Sequence, residues 1–334
     1  MHRYLASIFN ESEIEAAIKD AFKFNYNSCD LYKEYCDSIN KNYSDNTSIV
    51  EIPFLPISFF KNHKIQSNQK SKSKLFLSSG TTGKKSKHYV TDLNIYNHSL
   101  LNSFKYAFGD PKKFHFIGIT PSPEERKNSS LIYMIDKLQK YSKNEGFFSS
   151  NCEEFKIKIK KIQNSKSEIL IFGLSHMLLE FIENEKFKLN NCIIIETGGM
   201  KGNREEIEKK KLHEILSYGY GTDKIFSEYG MTELLSQSYT IKDDIFRPPP
   251  WKKVLIRDIN DPFKIKKIGR GIITIIDLAN INSCCFISTE DIGEVFKDGS
   301  FKLYGRANES DIRGCNNMLE LSLIHISEPT RRDQ

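Results

Sequence analysis

At 334 residues with 39% hydrophobic and 12% aromatic content, the chain has enough apolar mass to bury a full core, and it is read as one large domain. No uncharged apolar run approaches the roughly 20 residues that span a bilayer, and the start, MHRYLASIFNESEIEAA, runs from a short apolar patch into acidic residues without an ordered signal, so a cytoplasmic location is expected. The net charge of +6 is scattered through KKSK, KIKIKKIQ and EKKKLHE, which argues for a solvated lysine-rich surface and against nucleic acid; the seven cysteines include no CxxC pair, so neither a zinc site nor a disulfide framework is supported.

The first predicted element is a helix. Ser12 and Glu15 have capping-box spacing, and Ile14, Ala17, Ile18, Ala21 and Phe22 then recur at helical intervals. The prolines of EIPFLPISFF forbid a long helix and predict an extended segment. The apolar runs FHFIGIT, EILIFGL and NCIIIETGG follow, each ending near glycine or a hydroxyl residue and separated by stretches of helical composition such as SHMLLEFIEN. Strands alternating with helices predict an α/β fold with a substantial parallel component. The second half changes character: GIITIIDL, CCFIST, EVFKDG and FKLYGR read as short β segments joined by turns.

Between the first helix and the first strand–helix alternation lies LSSGTTGKKSK, residues 77–87. A Walker A loop needs four residues between its glycine and its GK, whereas Gly80 and Gly83 are separated by two, so that geometry is excluded. Two readings remain open from these residues alone: a glycine and hydroxyl loop that wraps N–H groups around a polyphosphate, or an exposed polar turn.

A second constellation bears on that choice. Residues 227–233, SEYGMTE, resemble the YGxTE signature of the adenylate-forming enzymes, the superfamily of acyl-CoA synthetases, peptide-synthetase adenylation domains and luciferases. SSGTTGKKSK resembles the superfamily's phosphate loop SSGTTGxPK, with Lys85 and Ser86 departing from it; Thr289-Glu290-Asp291 resembles its TGD element, with Glu290 for glycine; and the run from Gly305-Arg306 to Asp311-Ile312-Arg313 resembles its GRxxDxIK hinge, with Arg313 for lysine. The resemblance implies a mixed and parallel sheet flanked by helices, a β-rich C-terminal subdomain, and ATP and Mg2+ as cofactors. It implies that Ser79, Gly80, Thr81, Thr82, Gly83 and Lys84 cradle the β- and γ-phosphates, that Tyr229 and Gly230 hold adenine, that Thr232 touches the α-phosphate, and that Glu233 holds magnesium. Asp291 is then expected on the ribose hydroxyls with Arg306 beside it, and Gly198 and Gly199 against adenine, although the two glycines also read as a plain tight turn.

Within the superfamily, AFKFNYNSCDLYKEYC, IPFLPISFFK, RPPPWKKVLIRDINDP and ISTEDIG resemble the acyl-protein synthetase (LuxE) family over roughly residues 10 to 320. That implies one adenylating domain over 1–320, a fatty-acid substrate, a fatty-acid reductase partner, and an acyl-accepting cysteine near the C-terminus, which Cys315 matches. Cys284 and Cys285 are weaker candidates because SCCFIS reads as a buried strand. The superfamily's mobile C-terminal domain is expected to be absent. LSLIHISEPTR, residues 321–331, resembles the translation of a sequencing-library adapter, so 321–334 is read as a non-native tail and His325 receives no role. Three functions stay open: activation of a fatty acid to acyl-AMP and transfer to a cysteine of the same chain, transfer to CoA or another acceptor, or a nucleotide-binding accessory subunit without turnover. GLSHMLLEFIE reads as a core helix or as an acyl-pocket wall.

Overall fold

The computed structural model describes residues 13–67, 72–79, 83–149, 152–183, 185–189, 191–199 and 207–307. The chain divides into two compact units, one formed by residues 1–75, 82–95 and 250–334, the other by 76–81 and 96–249.

The first unit opens with helix α1 (Ile14–Ser28), which buries Ile14, Ala17, Ile18, Ala21 and Phe22, the residues that the helical spacing selects. Ser12 of the expected capping box lies outside the described residues; Glu13, which immediately precedes the helix, makes no side-chain cap. Asn25 is fully buried on the same helix because its amide is spoken for: Nδ2 donates to the Ile281 carbonyl and Oδ1 accepts from the Cys285 N–H, both at 2.8 Å. Helix α2 (Asp30–Ser38) follows, and its Tyr32 hydroxyl donates to the Pro53 carbonyl at 2.7 Å. The proline-rich segment yields a two-residue strand β1 (Leu55–Pro56) and a single helical turn α3 (Phe59–Asn62), as far as its prolines allow. Strands β2 (Lys74–Leu77) and β3 (Lys87–Val90) flank the glycine and hydroxyl loop; residues 76–81 of this stretch are counted with the second unit.

The second unit is built on alternation. After helix α4 (Leu93–Phe108), strand β4 (Phe114–Ile119), helix α5 (Ser130–Lys140), strand β5 (Lys143–Phe147), helix α6 (Cys152–Ile162), strand β6 (Glu168–Leu174), helix α7 (Ser175–Glu183), strand β7 (Cys192–Thr197), helix α8 (Lys209–Tyr220) and strand β8 (Ile225–Tyr229) follow in turn. Strands β5, β4, β6, β7 and β8 lie side by side in that order and are all parallel; β9 (Ser238–Lys242) and β10 (Ile245–Arg247) extend the sheet antiparallel. Strands β6 and β7 are near-continuous apolar runs because both their faces are covered. Met177, Leu178, Leu179, Phe181 and Ile182 of α7 join Ile169, Ile171 and Ile194 in one core cluster, so SHMLLEFIE is a core helix.

The chain then returns to the first unit with β11 (Lys252–Arg257), β12 (Ile265–Lys266), β13 (Gly269–Asp277), β14 (Phe286–Val295) and β15 (Phe301–Arg306). They form an antiparallel sheet in the order β12-β11-β13-β14-β15, with β1 added parallel to β14. The two short β segments expected at CCFIST and EVFKDG are one ten-residue strand, and Cys284 and Cys285 are buried just before it rather than within it. Parallel and antiparallel sheet, flanking helices and a β-rich C-terminal part are the architecture that the sequence predicts.

Candidate functional site

Loops and helix starts at the carboxyl ends of parallel strands present unpaired N–H groups, which makes that edge the ligand-facing side of an open α/β sheet. In the second unit β7 ends at Thr197 and passes into Gly198 and Gly199, whose φ angles of +80° and +56° lie in the left-handed region that glycine occupies without strain. The chain bends at Gly198, and the bend sits at this edge. Neighbouring β8 ends at Tyr229, with Glu196 in register with Ser227. Thr197 Oγ1 donates to Glu228 Oε2 at 2.5 Å and ties the two strand ends together. A Cβ on Gly230 would meet the Glu228 carboxylate, which would have to shift to admit it. Thr232 and Glu233 follow in a turn closed by a 3.1 Å bond from the Leu234 N–H to the Met231 carbonyl, and both are buried. The structure thus brings Gly198, Gly199, Tyr229, Gly230, Thr232 and Glu233 to one sheet edge.

In the first unit, Asp291 on β14 faces Arg306 on β15 in register, with the guanidinium Nε 3.4 Å from Oδ1. Thr289 Oγ1 donates to the Ile273 carbonyl at 2.8 Å and accepts from the Asp291 N–H at 3.1 Å, which fixes the backbone that carries the carboxylate. Gly83 and Lys84 are exposed after the glycine and hydroxyl loop, and Ser79 is exposed before it. Burial and the Lys84 ammonium together push the His63 imidazole below its usual range. Gly80, Thr81, Thr82 and Cys315 lie outside the described residues.

Glu196 is a functional candidate that the sequence reading missed. It is a buried carboxylate two residues before the Gly198–Gly199 turn. Ser175 Oγ, the first residue of α7, lies 2.6 Å from its Oε2 and 3.0 Å from the Thr197 carbonyl, and the Ser227 hydroxyl donates to its Oε1. From α8, Lys209 Nζ approaches Oε1 to 3.5 Å and His213 Nε2 to 3.6 Å, with His213 Nε2 also 3.0 Å from Ser227 Oγ. Burial alone would raise this carboxyl's pKa; the His213 and hydroxyl hydrogen bonds and the Lys209 charge outweigh it and hold the group at about 2. The available signal was one acidic residue inside the apolar strand CIIIET.

Among the described residues no group of three or more His, Cys, Asp or Glu side chains is placed to hold a metal ion. Glu233 offers one buried carboxylate oxygen set at the sheet edge. That suits Mg2+, which commonly takes one or two carboxylates and completes its shell with phosphate oxygens and water.

The sheet topology and the placement of these loops define the adenylate-forming fold. Solved structures support that class: ATP-bound MatB from Rhodopseudomonas palustris matches with a TM-score of 0.51 at 14% identity over 72% of this chain and 49% of that one, and the ATP-bound RpMatB-BxBclM chimera B3 with 0.51 at 14% over 72% and 50%. At such identity the likeness is one of fold, and this chain spans about half the length of those proteins. The profile of the family described as "Acyl-protein synthetase, LuxE" matches residues 7–324, and the chain belongs to that family. Its relatives include a long-chain-fatty-acid–luciferin-component ligase of Aliivibrio fischeri, 28% identical over 95% of this chain and 89% of the relative, and one of Vibrio harveyi, 21% identical over 89% and 85%.

Proposed function

We propose that the chain activates a fatty acid with ATP and then carries the acyl group as a thioester on its own Cys315. The observation that carries the first half is the departure of the Gly198–Gly199 and Tyr229–Gly230 loops from adjacent parallel strands at a single edge. In this reading adenine lies between those loops, Thr232 reaches the α-phosphate, Asp291 holds the ribose hydroxyls with Arg306 beside it, and Ser79 to Lys84 cradle the outer phosphates. A carboxylate oxygen of the fatty acid attacks the α-phosphorus, the bond from that phosphorus to its bridging oxygen breaks, and pyrophosphate leaves. Lys84 and the loop hydroxyls stabilise the charge that develops on the leaving group. Mg2+ held at Glu233 would supply charge neutralisation across the phosphates.

In the second step a thiolate attacks the acyl carbon, the carbon–oxygen bond to the phosphate breaks, AMP departs with the electron pair, and the thiol proton is lost to solvent. Cys315 is assigned as that thiol. Cys29, Cys36, Cys192, Cys284 and Cys285 are all buried, and burial pushes the Cys29, Cys36, Cys192 and Cys284 thiols up, away from the reactive anion; of the two remaining cysteines, Cys152 and Cys315, only Cys315 has the position near the C-terminus that the family resemblance implies. In the sequence Arg313 lies two residues before Cys315, and a cation close to a thiol favours the thiolate. The relatives' names support a long-chain substrate, and a thioester is a form that a cytoplasmic fatty-acid reductase can accept. No helix among the described residues is long and apolar enough to cross a membrane. Fatty-acid-dependent exchange of radiolabelled pyrophosphate into ATP tests the first step: exchange is expected with magnesium present, and its absence across a panel of chain lengths would leave the chain an accessory subunit.

A further inference from the structure

We infer that Glu196 is a positioning residue for the nucleotide, acting on Tyr229 through Lys209 and Phe246. The inference rests on the adenylation reading above and adds residues that the motifs do not contain. The path is continuous within the second unit. Lys209 Nζ, 3.5 Å from Glu196 Oε1, also sits over the Phe246 ring at 4.8 Å from its centroid. Phe246 on β10 in turn packs against the Tyr229 ring, with centroids 5.9 Å apart and planes at 60°. A cation held between a buried carboxylate and an aromatic face has little freedom, and the ring beneath it inherits that restriction.

Three features argue that this carboxylate does more than fill space. Burying a carboxylate costs several kcal/mol unless it is paired and hydrogen-bonded, and an apolar residue at this position in an apolar strand would avoid the cost. Lys209 is the first residue of α8, where the helix dipole disfavours a cation, so its placement answers Glu196 rather than the helix. Finally, the Glu196 carboxylate contacts Lys209 and His213 on α8, and through Ser227 it also holds the strand that delivers Tyr229. One carboxylate therefore ties the start of α8 to the strand that ends at Tyr229. Ser175, on the other carboxylate oxygen, anchors the start of α7 and lies off the path to Tyr229.

The test is equilibrium binding of ATP by calorimetry to the full chain and to Glu196→Gln, Lys209→Met, Lys209→Arg and Ser175→Ala, with thermal midpoints recorded for each. Glu196→Gln and Lys209→Met are expected to weaken ATP at least tenfold. Lys209→Arg, which keeps a cation over the ring, should return binding to within about threefold of the parent, and Ser175→Ala should lower the midpoint while leaving ATP binding unchanged. Lys209 is about one third exposed, so Lys209→Met keeps the experiment decisive if Glu196→Gln does not fold. If the parent binds ATP and Lys209→Met binds it within twofold, the positioning role is refuted. If Ser175→Ala weakens ATP as much as Lys209→Met does, the network is only structural and the role is likewise refuted. A parent that binds no ATP overturns the adenylation reading and this inference with it.

Discussion

Replacing Asp291 by asparagine separates a ligand-binding carboxylate from a structural one, because the structure gives the two roles different magnitudes. One partner of the side chain is Arg306, whose Nε is 3.4 Å away on a side chain 79% exposed, while the Asp291 side chain is 13% exposed. An ion pair with so exposed a cation is worth only about 0 to 1 kcal/mol, so loss of the Arg306 pair by itself should change the unfolding free energy little. Hydrogen bonds from ribose hydroxyls to a carboxylate are charge-assisted, at about 1.5 to 3 kcal/mol each; asparagine keeps one neutral acceptor, so the net loss is about 1.5 to 3 kcal/mol, or roughly 10- to 100-fold in ATP affinity. Glu233→Gln should fail differently, raising the magnesium concentration needed for half-maximal pyrophosphate exchange with little loss of metal-free ATP binding. The assay is ATP binding by calorimetry beside urea unfolding, then exchange across a magnesium series. Unchanged ATP affinity in Asp291→Asn, or a large stability loss with it, would refute the ribose assignment; identical behaviour of the two variants would refute the division of roles.

Two further predictions concern stability. Asn25→Ala leaves the Ile281 carbonyl and the Cys285 N–H without their side-chain partner in a fully buried place, and should cost about 2 to 4 kcal/mol in urea unfolding; a loss under 1 kcal/mol would mean that water replaces the amide. The Glu196 carboxyl is depressed from 4.5 to about 2, so its stabilisation is complete above the unfolded value, near pH 4.5, and is lost as pH falls toward 2. The shift corresponds to about 3 kcal/mol. The stability gap between the parent and Glu196→Gln should therefore narrow between pH 4.5 and 2, and a gap constant with pH would show that ionisation contributes nothing.

The sequence exposes those parts of the fold that depend on local periodicity. FHFIGI, EILIFGL and CIIIET are legible as buried strands because both faces are covered and no polar residue interrupts them for long. KNEGF at β5 is not legible: it is a polar edge strand held parallel to β4, and its composition reads as a turn. The break expected between CCFIST and EVFKDG follows from the polar residues Thr289, Glu290 and Asp291, which lie inside one continuous strand because cross-strand pairing, not side-chain alternation, holds it. Of the candidate site, the glycine and hydroxyl motifs are readable since their residue types are demanded by conformation and charge. The Glu196 network is not, because Lys209 and His213 sit in EKKKLHE and look like solvated surface, and only the packing of α8 against the strands turns them toward a buried carboxylate.

The central claim, acyl transfer through AMP to a thiol of the same chain, is tested most directly by intact-protein mass spectrometry after incubation with ATP, magnesium and a panel of fatty acids. The account predicts a mass increase of one acyl group, equimolar AMP, loss of the adduct with neutral hydroxylamine, and no such adduct on Cys315→Ser, which should still exchange pyrophosphate. An undiminished hydroxylamine-labile adduct on Cys315→Ser would contradict the assignment of the thiol, and AMP release without any adduct on the parent would contradict the claim itself.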